Sequence, residues 1–256
     1  MKYVTISKGD RDEGFFTFYT DIRNMAVPFT AFSLYHMLFL ALAILLITTL
    51  FSYYRRLDAG KQRRMQVIMA IYFLVEELLY TTWLFLFCHE QVWHQILPLE
   101  LCSLCVYMNA LTVYLKKDTL RFFSGVVGLC AGLIAMVYPA NISELYPVLS
   151  YRTINFYILH ASFVLFALIQ LQDRTLLQYH YMKKNFLIIC GMFTTAFIIN
   201  LNLHTQYMFV GIPPKISFIA SLYHITGNHD VSAVLSCWHC FSFSVQWYFY
   251  CAECTV

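Results

Sequence analysis

Long apolar segments separated by short polar loops dominate this chain. Seven of them approach or exceed the roughly 20 apolar residues that a helix needs to cross a bilayer. They cover approximately residues 29–53, 65–88, 97–115, 119–138, 152–172, 185–204 and 230–250. The pattern predicts an all-α, multi-pass membrane bundle with about seven transmembrane helices. We expect a single domain over 29–256, preceded by an extramembrane or interfacial tail over 1–28 that is too polar for a signal peptide.

Composition supports the membrane class. Hydrophobic residues make up 60% of the chain and charged residues 12%, against about 25% charged residues in soluble domains. The mean hydropathy is +0.61. The net charge of +3 is small, and no basic stripe exists outside the short loops, so nucleic-acid binding is not expected.

The distribution of Lys and Arg predicts the orientation. The loops after spans one, three and five hold most of them: Arg55, Arg56, Lys61, Arg63, Arg64, Lys116, Lys117, Arg174, Lys183 and Lys184, with Arg121 close by. The loops after spans two, four and six hold only Arg152, at an edge, and Lys215. The positive-inside rule therefore predicts an N-terminus outside and a C-terminus inside. The membrane would be the cell membrane in a bacterium and an endomembrane in a eukaryote.

Polar side chains inside these spans are unfavourable in lipid and are therefore candidates for function. The set comprises His36, Glu76, Glu100, Cys102, Asn109, His160, Asn200, Asn202 and His239. In the predicted orientation the three histidines lie roughly 10–14 Å below the outer surface and Cys102 lies ~8 Å below it, at ~1.5 Å per residue. This shared depth predicts a polar pocket in the outer half of the bilayer. The alternative is that each side chain bonds only to a neighbouring helix.

Cys102 has the surroundings of a nucleophile. Pro98 suits the first turn of a helix, and a thiol in that turn would lie near unpaired backbone N–H groups that stabilise a thiolate or an oxyanion. His160 is the best general base by depth. Asn109 shares the helix face of Cys102, whereas Glu100 points elsewhere. The alternative is a small buried packing residue.

Two further motifs suggest other chemistry. Glu76 and Glu77 form a tandem pair at mid-membrane, which predicts a proton or cation site, a carboxylate that orients a histidine, or a simple bond to Tyr80. The pairs Cys237–Cys240 and Cys251–Cys254 have zinc-like spacing. The residues between the pairs are aromatic and apolar and lack turn formers, so we expect no metal and no cofactor.

The run LPLELC, Leu97 to Cys102, resembles the signature of YwaF-type bacterial membrane proteins, which are related to the transmembrane protein 164 family of eukaryotes. Similar matches are the Gly-containing helix from Phe122 to Pro139, the His-bearing run from Asn155 to Leu165, and Asn200 and Asn202 followed by Tyr207, Met208 and Phe209. The resemblance implies a seven-helix fold. For the eukaryotic branch it implies acyl transfer between phospholipids through a cysteine acyl intermediate, with Cys102 as nucleophile and His160 as base.

The leading functional hypothesis is lipid acyl transfer, with a phospholipid or lysophospholipid as substrate. Cys102 would attack an ester and His160 would shuttle the proton, while Glu100 or Glu76 would orient a histidine. A second hypothesis is a transporter or binding protein in which Glu76, Glu77 and the histidines handle a proton or small ligand. A third is a structural or assembly factor without a pocket. The sequence leaves the oligomeric state open.

Overall fold

The structure is a computed structural model that describes residues 13–16, 27–87, 96–205 and 207–209. After a single helical turn at Glu13–Phe16, the described residues form six long helices. These are α1 (Leu34–Arg56), α2 (Ala59–Phe87), α3 (Leu101–Leu115), α4 (Asp118–Val137), α5 (Tyr151–Gln170) and α6 (Tyr179–Leu203). In this part of the chain, extended pairing is limited to an isolated antiparallel bridge between Pro28 and Pro147.

Five of these helices, α1, α2, α4, α5 and α6, are long and apolar enough to cross a membrane. The all-α membrane class predicted from the hydropathy pattern is therefore confirmed. The helix in the third predicted span, α3, is apolar but only 15 residues long. The seventh predicted span, 230–250, lies outside the described residues, so seven spans and their orientation stay predictions.

Capping side chains set the start of the first two long helices. Ser33 has an extended backbone, and its Oγ accepts the N–H of His36 at 3.3 Å, which begins α1. Asp58 does the same at the start of α2, where its Oδ1 accepts the N–H of Lys61 at 3.0 Å. The hydrogen bonds from Lys61 lower the pKa of the Asp58 carboxyl below its ordinary value.

The first helix begins later than its apolar pattern predicts. Residues 29–33 precede α1 and pair with the loop between α4 and α5. The N–H of Phe29 donates to the carbonyl of Tyr146 at 2.9 Å, and the N–H of Glu144 donates back to the carbonyl of Phe29 at 2.7 Å. Phe29 is fully buried against that loop. The backbone groups that would have extended the helix are therefore engaged by a distant segment.

The fifth helix is the centre of the bundle. In its most apolar stretch 78% of the residues are buried, against 17% for α1. It packs against α1, α2 and α4. A surface helix of a soluble protein has one apolar face and one polar face. By contrast, α5 is buried on most sides, and the exposed surface of α1 is apolar and suits contact with lipid. The inward side chains of α5 are thereby held among rigid neighbours.

Helix α4 contains a π-helical segment at Phe123–Val127. Such segments are typical of functional sites or close packing. The Thr112 hydroxyl of α3 lies 2.8 Å from the Ser124 hydroxyl and donates to the Met108 carbonyl at 2.7 Å. This polar contact joins α3 to the π-helical segment of α4.

The chain divides into two compact units, Met1–Ile188 and Ile189–Val256, with the boundary inside α6. In the first unit, Arg121 of α4 forms ion pairs with Asp118 at 3.1 Å and with Asp173, beyond the end of α5, at 3.0 Å. In the second unit, Asn200 closes the end of α6. Its Oδ1 accepts the N–H of Tyr207 at 2.9 Å, and its Nδ2 donates to the carbonyl of the same residue at 2.9 Å.

A cysteine–histidine pair as the candidate active site

The Cys102 thiol and the His160 imidazole are in direct contact. The Sγ atom of Cys102 lies 3.1 Å from Nε2 of His160. Cys102 is the second residue of α3, and His160 lies in the middle of α5. His160 is 3% exposed, whereas Cys102 is only half-buried. The nucleophile and base predicted from sequence are therefore within the reach that proton transfer requires.

The neighbours of His160 define its tautomer. Its Nδ1 lies 2.7 Å from the carbonyl oxygen of Phe156, one turn earlier on α5. A carbonyl can only accept, so Nδ1 carries the hydrogen and Nε2 presents a lone pair to the Cys102 thiol. The Phe156 ring packs against the imidazole with 4.1 Å between ring centroids. The ring is thus held in the orientation that a general base needs.

The backbone at the start of α3 supplies hydrogen-bond donors beside the thiol. The first N–H of the helical ladder is that of Leu104, which donates to the Glu100 carbonyl at 3.0 Å. The preceding N–H groups of Leu101, Cys102 and Ser103 have no carbonyl partner within the helix. Donors at a helix N-terminus favour a negative charge. This end of α3 therefore offers hydrogen-bond donors that suit an oxyanion.

The helix begins at Leu101, so the prediction that Pro98 lies in its first turn is wrong. Leu97 precedes a proline and is disfavoured in the helical region. The N–H of Leu99 instead donates to the Leu97 carbonyl at 2.7 Å in a tight turn.

This late start places the beginning of α3 deep beside α5. His160 lies nine residues after Tyr151, the first residue of α5. The contact with Cys102 therefore sets the start of α3 about 13 Å along that helix at ~1.5 Å per residue. Non-helical backbone at such a depth occurs where it is enclosed by protein or lines a cavity.

The carboxylates of α2 form contacts next to this pair. The Asn155 amide of α5 donates a hydrogen bond to Oε1 of Glu76. Glu77 lies near Ser103, the residue after the proposed nucleophile. Both glutamates are buried. We expected Glu76 or Glu100 to orient a histidine, but the acceptor at Nδ1 of His160 is a backbone carbonyl.

His36 occupies a structural position. It lies in the first turn of α1 and not about two turns into the span as predicted, because Ser33 caps the helix only three residues before it. Its Nδ1 accepts the N–H of Phe32 at 2.8 Å, and its Nε2 lies 2.9 Å from the carbonyl of Met136. Both ring nitrogens bond to backbone, so His36 joins the start of α1 to the end of α4.

The other predicted site residues fall in different places. Asn109 is fully buried on α3, and neither amide atom has a hydrogen-bond partner in the described part of the chain. Asn200 organises the end of α6, while Asn202 is exposed and donates to the Ile198 carbonyl. His239 and the Cys237–Cys240 and Cys251–Cys254 pairs lie outside the described residues. Among the residues that are described, no three His, Cys, Asp or Glu side chains cluster as a metal site would require.

Arg152 is a site neighbour that sequence reasoning counted only as a loop charge. Its guanidinium lies 4.2 Å from the centre of the Tyr80 ring. It is close enough to act electrostatically on Cys102 and His160. The sequence did contain a signal that Arg152 lies near the site. Arg152 precedes Phe156 by four residues and His160 by eight, and residues at this spacing lie on one side of a helix.

The long apolar helices define an integral membrane protein of the all-α class, with a thiol–imidazole contact between α3 and α5. The model of the TMEM164 family matches residues 31–250, and the chain belongs to that family. No curated protein and no solved structure matches the chain. The predicted relation to transmembrane protein 164 is confirmed, and the relation to YwaF-type proteins stays a prediction.

Proposed function

We propose that the protein transfers acyl groups between membrane lipids through a thioester on Cys102. The observation that carries this proposal is the 3.1 Å contact between the Cys102 thiol and a His160 nitrogen that presents a lone pair. Paired thiol and imidazole groups are the basis of cysteine nucleophilic catalysis. Burial between helices that suit lipid supports a lipid ester as substrate, as does the acyl transfer that the family resemblance implies.

In the first half-reaction His160 takes the thiol proton on Nε2, and the sulfur attacks the ester carbonyl carbon of a phospholipid. The tetrahedral oxyanion forms near the N–H groups of Cys102 and Ser103, which suit its charge. When the intermediate collapses, the carbon–oxygen ester bond breaks. The departing lipid oxygen takes the proton from Nε2 and leaves as the hydroxyl of a lysophospholipid. The acyl group stays on sulfur as a thioester.

In the second half-reaction the hydroxyl of another lysophospholipid gives its proton to Nε2 of His160 and attacks the thioester. The new ester forms, the carbon–sulfur bond breaks, and the proton returns to sulfur. Water in place of the second lipid would hydrolyse the thioester, so exclusion of water by the bound lipids would favour transfer over hydrolysis.

The test compares Cys102→Ala with Cys105→Ala in purified protein supplied with a donor phospholipid and a labelled lysophospholipid. Cys105 is one helical turn further along α3 and fully buried, so it is a matched control thiol. The proposal expects loss of labelled phospholipid in Cys102→Ala and retention in Cys105→Ala. Full activity in Cys102→Ala would contradict the proposal.

A second candidate is a transporter or binding protein for a proton or small cation. It is favoured by the two buried carboxyl groups of Glu76 and Glu77 on a helix that suits lipid, since intramembrane acids are typical of proton pathways. Reconstitution in vesicles with a pH-sensitive dye tests it. Proton flux that disappears in Glu76→Gln and persists in Cys102→Ala would favour transport over acyl transfer.

A further inference from the structure

Arg152 has the position and chemistry of an anion-binding residue. It lies in the first turn of α5, partly buried, with its guanidinium over the Tyr80 ring. Stacking on an aromatic face fixes the plane of a guanidinium and leaves its N–H edge available. A guanidinium edge matches the paired oxygens of a phosphate in a way that a lysine ammonium does not.

Within the described part of the chain, the charge of Arg152 is not matched by a direct ion pair. The ion pairs in the described part of the chain are Lys61–Asp58, Arg121–Asp118 and Arg121–Asp173. Glu76 and Glu77 interact with the charge of Arg152 only at longer range, and the Glu76 carboxyl accepts its hydrogen bond from the Asn155 amide. A cation in the first turn is also unfavourable for the helix dipole, so helix stability does not explain it.

Arg152 lies on the same face of α5 as His160, about two turns closer to the helix start. Eight residues correspond to ~12 Å along the axis. In the predicted orientation α5 begins at the outer surface, so Arg152 would lie at headgroup level and His160 below it. A phospholipid has the same order, with its phosphate at the surface and its ester carbonyls a few bonds deeper. The flexible arginine side chain and the lipid glycerol can together bridge the distance.

We propose that Arg152 binds the phosphodiester of the glycerophospholipid whose ester faces Cys102, and so selects phospholipids over uncharged acylglycerols. This inference rests on the proposed acyl transfer for its kinetic consequence, but the binding itself is independent of it. Arg152 would be a positioning and specificity residue, since it touches the headgroup and not the reacting carbonyl.

The test measures binding in the Cys102→Ala background, where no acyl group is transferred. Phosphatidylcholine and a diacylglycerol with the same acyl chains compete for a fluorescent phospholipid in detergent micelles. Arg152→Gln should lower the preference for phosphatidylcholine about 10- to 100-fold, the usual effect of losing hydrogen bonds to a charged group. Arg152→Lys should keep part of the preference through its charge. Arg174→Gln is the matched control at an exposed arginine in the loop after α5.

With Cys102 intact, kcat/KM of thioester formation is then measured for phosphatidylcholine and for the diacylglycerol, with and without Arg152→Gln. The substitution should lower kcat/KM for phosphatidylcholine, mainly by raising its KM. A binding ratio that is unchanged in Arg152→Gln would overturn the inference, even if acyl transfer is demonstrated. That result is expected if Arg152 serves only as a distant counter-ion of Glu76 and Glu77. Competition by inorganic phosphate as strong as by phospholipid would show a free-anion site and also overturn it. A reduced binding ratio without any thioester would support Arg152 while the acyl-transfer proposal fails.

Discussion

Gly132 of α4 lies directly against the backbone of His160. A Cβ atom at Gly132 would approach the His160 carbonyl oxygen to 3.0 Å and a methyl carbon of Val164 to 2.8 Å. Both separations are too short for a packed side chain. The absence of a side chain at this position lets α4 and α5 meet closely at the residue that contacts Cys102, and so it fixes where the imidazole lies.

The substitution Gly132→Ala is therefore expected to displace α5 at His160. Overpacking of this kind destabilises by about 1–3 kcal/mol, and we expect lipid remodelling per folded molecule to fall as well. The free energy of unfolding in micelles and the transfer rate measure the two effects. Gly191→Ala is the control, because a Cβ there meets nothing within 4 Å. Equal behaviour of the two variants would contradict this packing argument.

The two histidines should respond differently to the same substitution. His160→Gln removes the group that takes the thiol proton, and acylation of Cys102 should fall about 10²- to 10⁴-fold. His36→Gln breaks bonds to the Phe32 N–H and the Met136 carbonyl. It should destabilise the fold by about 1–3 kcal/mol. Its acylation rate, normalised to folded protein, should stay close to wild type. A large loss of that rate in His36→Gln would place His36 in the chemistry.

The buried bond between Asn155 and Glu76 should show non-additive energetics. Asn155→Leu leaves a buried carboxyl without its donor and should cost about 1–3 kcal/mol of unfolding free energy. Adding Glu76→Leu removes the stranded carboxyl, so the double variant should be more stable than Asn155→Leu alone. Chemical denaturation of the three variants measures this coupling. Simple additivity of the two losses would contradict it.

The Asp173 carboxyl gives a pH-dependent contribution to stability. The Thr175 hydroxyl, at 2.5 Å, and the Arg121 guanidinium lower its pKa below the ordinary value of 3.8. A lowered pKa in the folded state means that the contribution is complete above the ordinary pKa and is lost as the pH falls through the folded value. Its size is below about 1 kcal/mol, because the side chain is partly exposed.

Wild-type protein should therefore be more stable than Asp173→Asn at about pH 6, and the difference should shrink below about pH 4. Thermal unfolding in micelles across this range makes the measurement. When Asp173→Asn is introduced into Arg121→Gln protein, the loss of stability at about pH 6 should be smaller than in wild-type protein. A difference that grows as the pH falls would contradict the assignment.

The membrane class and the Cys102–His160 pair could be predicted because both depend on local signals. The length of an apolar run identifies a membrane helix. A thiol or an imidazole within such a run is easily recognised, because polar side chains are rare there. Helix geometry placed His160 and Cys102 at similar depths, which was the basis for pairing them. The late starts of α1 and α3 were not predictable from apolar runs alone. The first depends on pairing between Phe29 and Tyr146, which are far apart in the chain, and the second on a turn at Leu97–Leu99.

Partners of the buried polar groups were harder to predict. Glu76 bonds to Asn155 of another helix and not to Tyr80 on its own helix, a choice that only the packing of α2 against α5 decides. The orienting partner of His160 is a backbone carbonyl, which carries no mark in the sequence. Arg152 was visible as a charge, but its place over Tyr80 required the fold.

The most direct test of the central claim is the mass of the protein after brief exposure to a phospholipid with one defined acyl chain, followed by rapid acid quenching. The proposal predicts a mass increase equal to one acyl group, located on Cys102 after proteolysis and removed by hydroxylamine. The increase should be absent in Cys102→Ala and present in Cys105→Ala. An adduct on another residue, or no adduct while lipid remodelling proceeds at its normal rate, would contradict a thioester on Cys102.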